Sequence, residues 1–200
     1  METEDTLLTE PCKPVPVEME ISIGDFKTHL ARVLSCVDTK KEDYCASVCL
    51  NESDIVGTNG SVLYKGALPF AFPERMIVRA ADLLPILKWG TKRQSDYRLE
   101  IAITESAGKK ALLFSFCGQT LCVPASNARY PVYSTLFREN EFQSVSVPEM
   151  SFSGPVLGSL LKTCENVKVC LKKDEKDVPF AFIDTLDSVK GIFIVAGLQD

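Results

Sequence analysis

Apolar residues recur along this chain with two periods, and the periods alternate in a fixed order. From about residue 18 the run EMEISI alternates like a strand. In the following GDFKTHLARVLSCVD, Phe26, Leu30, Val33, Leu34 and Val37 fall on one face of a helix, leaving Lys27 and Arg32 on the opposite, wet face. Three strand-like runs follow: YCASVCL, DIVGT and SVLYKG. The same order begins again near residue 76 (RMIVRA, ADLLPILKWG, YRLEIAIT, ALLFSFC, QTLCVPA) and near residue 145 (SVSVP, SFSGPVLGSLLKTC, NVKVCLKK, PFAFIDT, GIFIVAG). Each unit is thus one strand, one helix and three strands. A unit of that size cannot bury an apolar face alone, so the units must share a core. In YRLEIAIT, the alternation puts Tyr97, Leu99, Ile101 and Ile103 on one side, as in a half-buried antiparallel strand. Helices laid on antiparallel sheet make this an α+β protein.

Local signals place the punctuation. Asn59-Gly60 between DIVGT and SVLYKG reads as the central pair of a tight hairpin, whose φ > 0 positions suit Asn and Gly. Pro85 belongs in the first turn of the second helix, where its missing N–H costs little. Ser153 is placed as N-cap of the third, with Pro155 near N1.

Composition narrows the function. With 200 residues, 46% hydrophobic and 24% charged, the chain can build a substantial core. Residues 1–16, acidic and then proline-bearing, read as a disordered tail without the basic and apolar regions of a signal peptide. No apolar run approaches the ~20 residues of a membrane helix, which points to no membrane partner and a cytoplasmic protein. The eight cysteines contain no Cys-x-x-Cys and His29 is the sole histidine, so the reading is free thiols and no metal. His29 itself is expected in solvent or at an interface. No phosphate-binding glycine loop, nucleophile elbow or acid–base cluster stands out, which argues against a cofactor and against an enzyme.

The charge is unevenly distributed. Residues 24–37, 81–93 and 153–164 carry +1, +2 and +1 within a chain of net −5. Cations near helix C-termini complement the macrodipole. Positive charge concentrated on three equivalent helices also suits a phosphate backbone passing over them, which makes Lys27, Arg32, Lys88, Lys92, Arg93 and Lys162 the DNA-facing candidates.

The repeated unit, with Thr58-Asn59-Gly60-Ser61-Val62-Leu63, Tyr130-Pro131-Val132-Tyr133 and the C-terminal run Ile192–Leu198 in order, resembles the bacterial sliding clamp, the β subunit of the replicative DNA polymerase. The likeness is one of pattern over residues 18–198. In that family two units make a domain, and the domains form a ring around duplex DNA with the helices lining the hole. The three segments there build a hydrophobic pocket for short peptides of polymerases and other replication partners. The resemblance implies Thr58, Gly60, Leu63, Pro131, Val195 and Ala196 as pocket residues. Asn59, Ser61 and Val62 stand where the family has acidic, His and Arg residues, which alters the polar contacts to a peptide.

The implied organisation is a tail (1–16), a two-unit domain (17–126), a connector (127–144) and a half-domain (145–200). Bacterial clamps have six units where this chain shows three. The implied function is a processivity or recruitment factor that binds double-stranded DNA without sequence preference and binds partner peptides. It implies a homo-oligomer and, for a closed ring, an ATP-dependent loader. The alternative is a clamp-derived adaptor that does not encircle DNA.

Overall fold

The computed structural model describes residues 19–41, 43–106, 108–137, 143–144, 151–173 and 178–197. The tail expected over residues 1–16, part of the connector and, apart from Ser144, the strand expected at SVSVP lie outside them. Two antiparallel sheets share one layer of helices. Strand β1 (Met19–Ser22) leads into helix α1 (Ile23–Cys36), which is followed by β2 (Ser47–Thr58) and the long β3 (Val62–Arg79). A short helix α2 (Ala80–Leu83) precedes β4 (Arg98–Ser106), β5 (Lys109–Phe116) and β6 (Gln119–Pro124). The last portion holds β7 (Gln143–Ser144), α3 (Gly154–Leu161), β8 (Val167–Lys173), β9 (Pro179–Thr185) and β10 (Gly191–Ala196).

The sheets are assembled across the repeats. One sheet has the order β1-β4-β5-β6, so the first strand of the first unit completes the sheet of the second. The second unit returns the exchange: its opening residues 76–79 form the end of β3 and pair with Ser47–Leu50 of β2. The other sheet has the order β2-β3-β10-β9-β8-β7, joining the first unit to the third through Val62↔Val195 and Leu63↔Ile194. A bridge between Val78 and Ala125 links the two sheets. The main core lies between sheets and helices, where Phe26, Leu30 and Val33 of α1 meet Tyr64, Leu99, Phe114 and Phe193.

Three local expectations are corrected. Pro85 does not open the second helix. The α-helix ends at Leu83 and Leu84–Lys88 continue as a 3₁₀ turn, because Pro85 has no N–H to extend the α ladder. The hairpin turns on Gly60-Ser61 rather than Asn59-Gly60: Asn59 N–H donates to the Val62 carbonyl at 3.2 Å, and Gly60 alone in the turn has positive φ, +95°. That is the pattern of a II′-type turn with glycine first. Asn59 serves through its side chain, whose Oδ1 accepts from Ser61 N and Val62 N at 3.0 Å each. Finally, Leu99 and Ile101 are buried, but Tyr97 precedes β4 and is exposed.

Candidate nucleic-acid and peptide interfaces

Most of the expected DNA-facing residues lie at the surface of the helical layer. Lys88, Lys92, Arg93 and Lys162 are exposed at or just beyond the ends of their helical segments. Lys27 is half-buried and its Nζ donates to the Trp89 carbonyl at 2.6 Å. It nonetheless lines a cleft of about 340 Å³ together with Lys92, Thr91 and Ser95, at the N-terminus of α1.

Arg32 departs from the expectation. The residue is 0% exposed. Nη2 donates to Asp187 Oδ2 at 2.5 Å, Nη1 to the Val189 carbonyl at 2.6 Å and Nε to the Thr163 carbonyl at 3.3 Å. All three partners belong to the third unit, so Arg32 fastens that unit to α1 and is closed to a phosphate. His29, one turn earlier, is 2% exposed rather than solvated. Its Nδ1 lies 2.9 Å from the Tyr64 hydroxyl. Burial, reinforced by the neighbouring Arg32 charge, lowers its pKa to about 4. The reason for both departures is the same: α1 is covered on two flanks, by the sheets and by the third unit with α3, so its buried face is wider than its apolar stripe.

The segments expected to build a peptide pocket converge only in part. β10 alternates: Phe193 and Val195 enter the core under the helices, while Ile192, Ile194 and Ala196 face the opposite, outer side. Val195 is therefore corrected from pocket wall to core residue, and Ile194 is the residue opposite Leu63. Leu63 is 4% exposed, packed with Cys49, Val56, Tyr130 and Tyr133 in a second apolar cluster on the outer face. Tyr130 closes it from the connector, donating its hydroxyl to the Val56 carbonyl at 3.1 Å. Its ring meets Tyr44 and Tyr133 edge-on at 6.3 and 6.4 Å. Thr58 is buried, donating to the Val62 carbonyl at 2.7 Å and accepting from Gly60 N at 3.1 Å. Gly60 and Pro131 are exposed, and Ala196 is half-buried. The three segments thus meet, but the tyrosines occupy the space over Leu63.

No protein-family model matches the sequence, and a search of curated proteins finds no match. Solved structures do match in fold. The DNA polymerase III subunit beta of Pseudomonas aeruginosa superposes with a TM-score of 0.70 at 11% identity, covering 98% of this chain and 70% of its own. That of Borrelia burgdorferi, in complex with a natural product, gives 0.67 at 11%, covering 92% and 64%. A chain of the PCNA2–PCNA3 complex from Sulfolobus tokodaii gives 0.55 at 11%, covering 90% of this chain and 99% of that one. The chain spans about two thirds of the bacterial subunits it matches. What these matches and the exchanged-strand topology establish together is the fold: this is a DNA-clamp fold of antiparallel sheets under a single helical layer, shortened relative to the bacterial sliding clamps.

Proposed function

We infer that the chain acts as a sliding-clamp-like processivity or recruitment factor, working by topology and docking with no chemistry of its own. The observation that carries this reading is the placement of Lys88, Lys92, Arg93 and Lys162 at the surface of the helical layer of a clamp fold, in a chain of net −5. Contacts of these side chains to phosphates carry no sequence information and permit movement along the duplex. Encirclement requires further copies of the chain, since three units are too few to close a ring. Polymerase or other replication proteins are the partners, in the cytoplasm, and a closed ring calls for an ATP-dependent loader.

An odd count of three units over residues 18–198 favours a second reading, an adaptor that keeps the docking surface and does not encircle DNA. Light scattering and the anisotropy of a fluorescent duplex, measured over a salt series, separate the two. The clamp reading expects an oligomer and salt-sensitive binding. It also expects the triple substitution Lys88→Glu, Lys92→Glu and Arg93→Glu to lower the slope of log K against log salt by about 0.9 for each phosphate that is no longer neutralised. A monomer that fails to associate with DNA at any salt concentration, with loading factors present, establishes the adaptor.

A further inference from the structure

The outer face of the six-stranded sheet carries a second cleft, one row of residues along the strands from Leu63. Lys65, Ile192, Asp184 and Lys168 are register partners across β3, β10, β9 and β8, and they point away from the helices because Tyr64, Phe193 and Ile183 beside them point in. With the β9–β10 turn, which adds Leu186 and Lys190, they line a cleft of about 540 Å³. That volume is typical of a site that buries a few ligand side chains.

Its chemistry is mixed in a specific way. Ile192 and Leu186 supply apolar surface, and Leu186 is 53% exposed although large and aliphatic. Around them stand three lysines against the single carboxylate of Asp184, a net +2 in a chain of net −5. Lys65 also pairs with Asp54 at 3.1 Å, so the cationic character of the cleft rests chiefly on Lys168 and Lys190, both exposed. A duplex backbone would satisfy the lysines but waste the apolar floor. An uncharged apolar ligand would leave the lysine rim without a counterpart.

The geometry points to this cleft as a docking site for an acidic segment of a partner protein, one that inserts an aliphatic or aromatic side chain against Leu186 and Ile192 and sets carboxylates against Lys168 and Lys190. It lies on the face opposite the helical layer, so it can be occupied whether or not DNA lies across the helices. It differs from the Leu63 site, which the connector tyrosines fill. The inference therefore stands apart from the clamp reading, and its test does not depend on DNA binding or on oligomeric state.

The test uses the full chain and the fluorescein-labelled peptide Glu-Asp-Leu-Leu-Asp-Glu, with Lys-Lys-Leu-Leu-Lys-Lys as control, read by anisotropy. The acidic peptide is expected to bind saturably and the basic one not to bind. Replacing Lys168 and Lys190 together by Glu is expected to weaken binding about tenfold or more. Leu186→Ala is expected to weaken it about fivefold, because less apolar surface is buried against the peptide. These exposed positions should leave the melting temperature unchanged. Lys88→Glu with Lys92→Glu, on the helical side, should leave peptide binding intact. Absence of saturable binding, equal binding of the basic peptide, indifference to the Lys168/Lys190 pair, or displacement by a duplex oligonucleotide at equal concentration each overturns the assignment.

Discussion

Arg32 and Asp187, 155 residues apart in sequence, form a largely buried ion pair at 2.5 Å that joins the first helix to the turn between the last two strands. Asp187 Oδ1 is buried with no hydrogen-bond partner among the described residues, so the carboxylate depends on Arg32 for its compensation. Removing one member of such a pair strands the other charge in a dry site.

The first prediction concerns this pair. Arg32→Ala should cost about 3–5 kcal/mol in urea denaturation, and Asp187→Ala a similar amount. The double replacement by Leu should cost much less than the sum of the two single changes, since it removes both charges together. Strict additivity would show that the pair is not coupled. Arg32→Glu should unfold or loosen the third unit, so its effect on DNA association is no measure of a phosphate contact.

The second prediction follows from His29. Its folded pKa, about 4, lies below the ordinary 6.5, so between these values the unfolded chain binds a proton that the native one refuses. The contribution is therefore present above pH 6.5 and is lost as pH falls toward 4. Tyr64, Arg32, Asp25 and Asp187 are the titratable or charged groups that face it. Between pH 7 and 5 the loss should be about 2 kcal/mol, before most carboxylates titrate. His29→Gln should flatten that part of the stability profile. A wild-type profile flat over the same range would contradict the buried neutral imidazole.

The neighbourhood of His29 also shows what could be read from sequence. The helix positions and the α+β class follow from periodicity, but the strand count does not: YCASVCL and DIVGT, read as two strands, run on as β2 through an irregularity at Leu50–Asp54, and SVLYKG and RMIVRA are one strand, β3. The fate of Arg32 and His29 does not follow, since polar residues beside an apolar stripe read as wet unless a distant element covers them. For Arg32 that element arrives more than a hundred residues later, and for His29 it is Tyr64 on β3, 35 residues on. β10 hides its orientation for a different reason. Ile192 and Ile194 face out while Phe193 and Val195 face in, and a strand apolar at every position carries no alternation to show which set is which. The connector tyrosines were visible as residues, but the closing of Leu63 depends on the ring contacts of Tyr130.

The third prediction tests the close approach that admits His29. A Cβ at Gly66 would collide with His29 Nδ1, and one at Gly191 with the Tyr64 hydroxyl. Gly66 is buried and Gly191 half-buried, each against side chains that are themselves fixed by packing and hydrogen bonds. Gly66→Ala and Gly191→Ala should each destabilise by about 1–3 kcal/mol, as overpacking does. Gly118→Ala, at an open turn with φ +79°, should cost through backbone strain alone. Thermal melts of the three variants, with near-ultraviolet circular dichroism of the tyrosines, would register the difference. Loss of tyrosine signal is expected in the first two and not in the third.

The last prediction returns to Leu63 and Pro131, which the likeness to sliding clamps assigns to one peptide pocket. Leu63 lies beneath Tyr130 and Tyr133, while Pro131 between them is exposed and Val132 is 68% exposed. If the cluster is a closed core, Leu63→Ala should cost about 2–5 kcal/mol, the usual range for a buried leucine. Pro131→Ala and Val132→Ala should stay within about 0.5 kcal/mol. Tyr130→Phe should cost about 1 kcal/mol by leaving the Val56 carbonyl unpaired. An open pocket predicts the opposite order for Leu63: unchanged stability, with loss of binding to a fluorescent clamp-binding peptide. A mixed result has its own meaning. Should Leu63→Ala lower stability while Tyr130→Ala enhances peptide binding, the connector tyrosines would be occupying the pocket in place of a partner, and docking there would require their displacement.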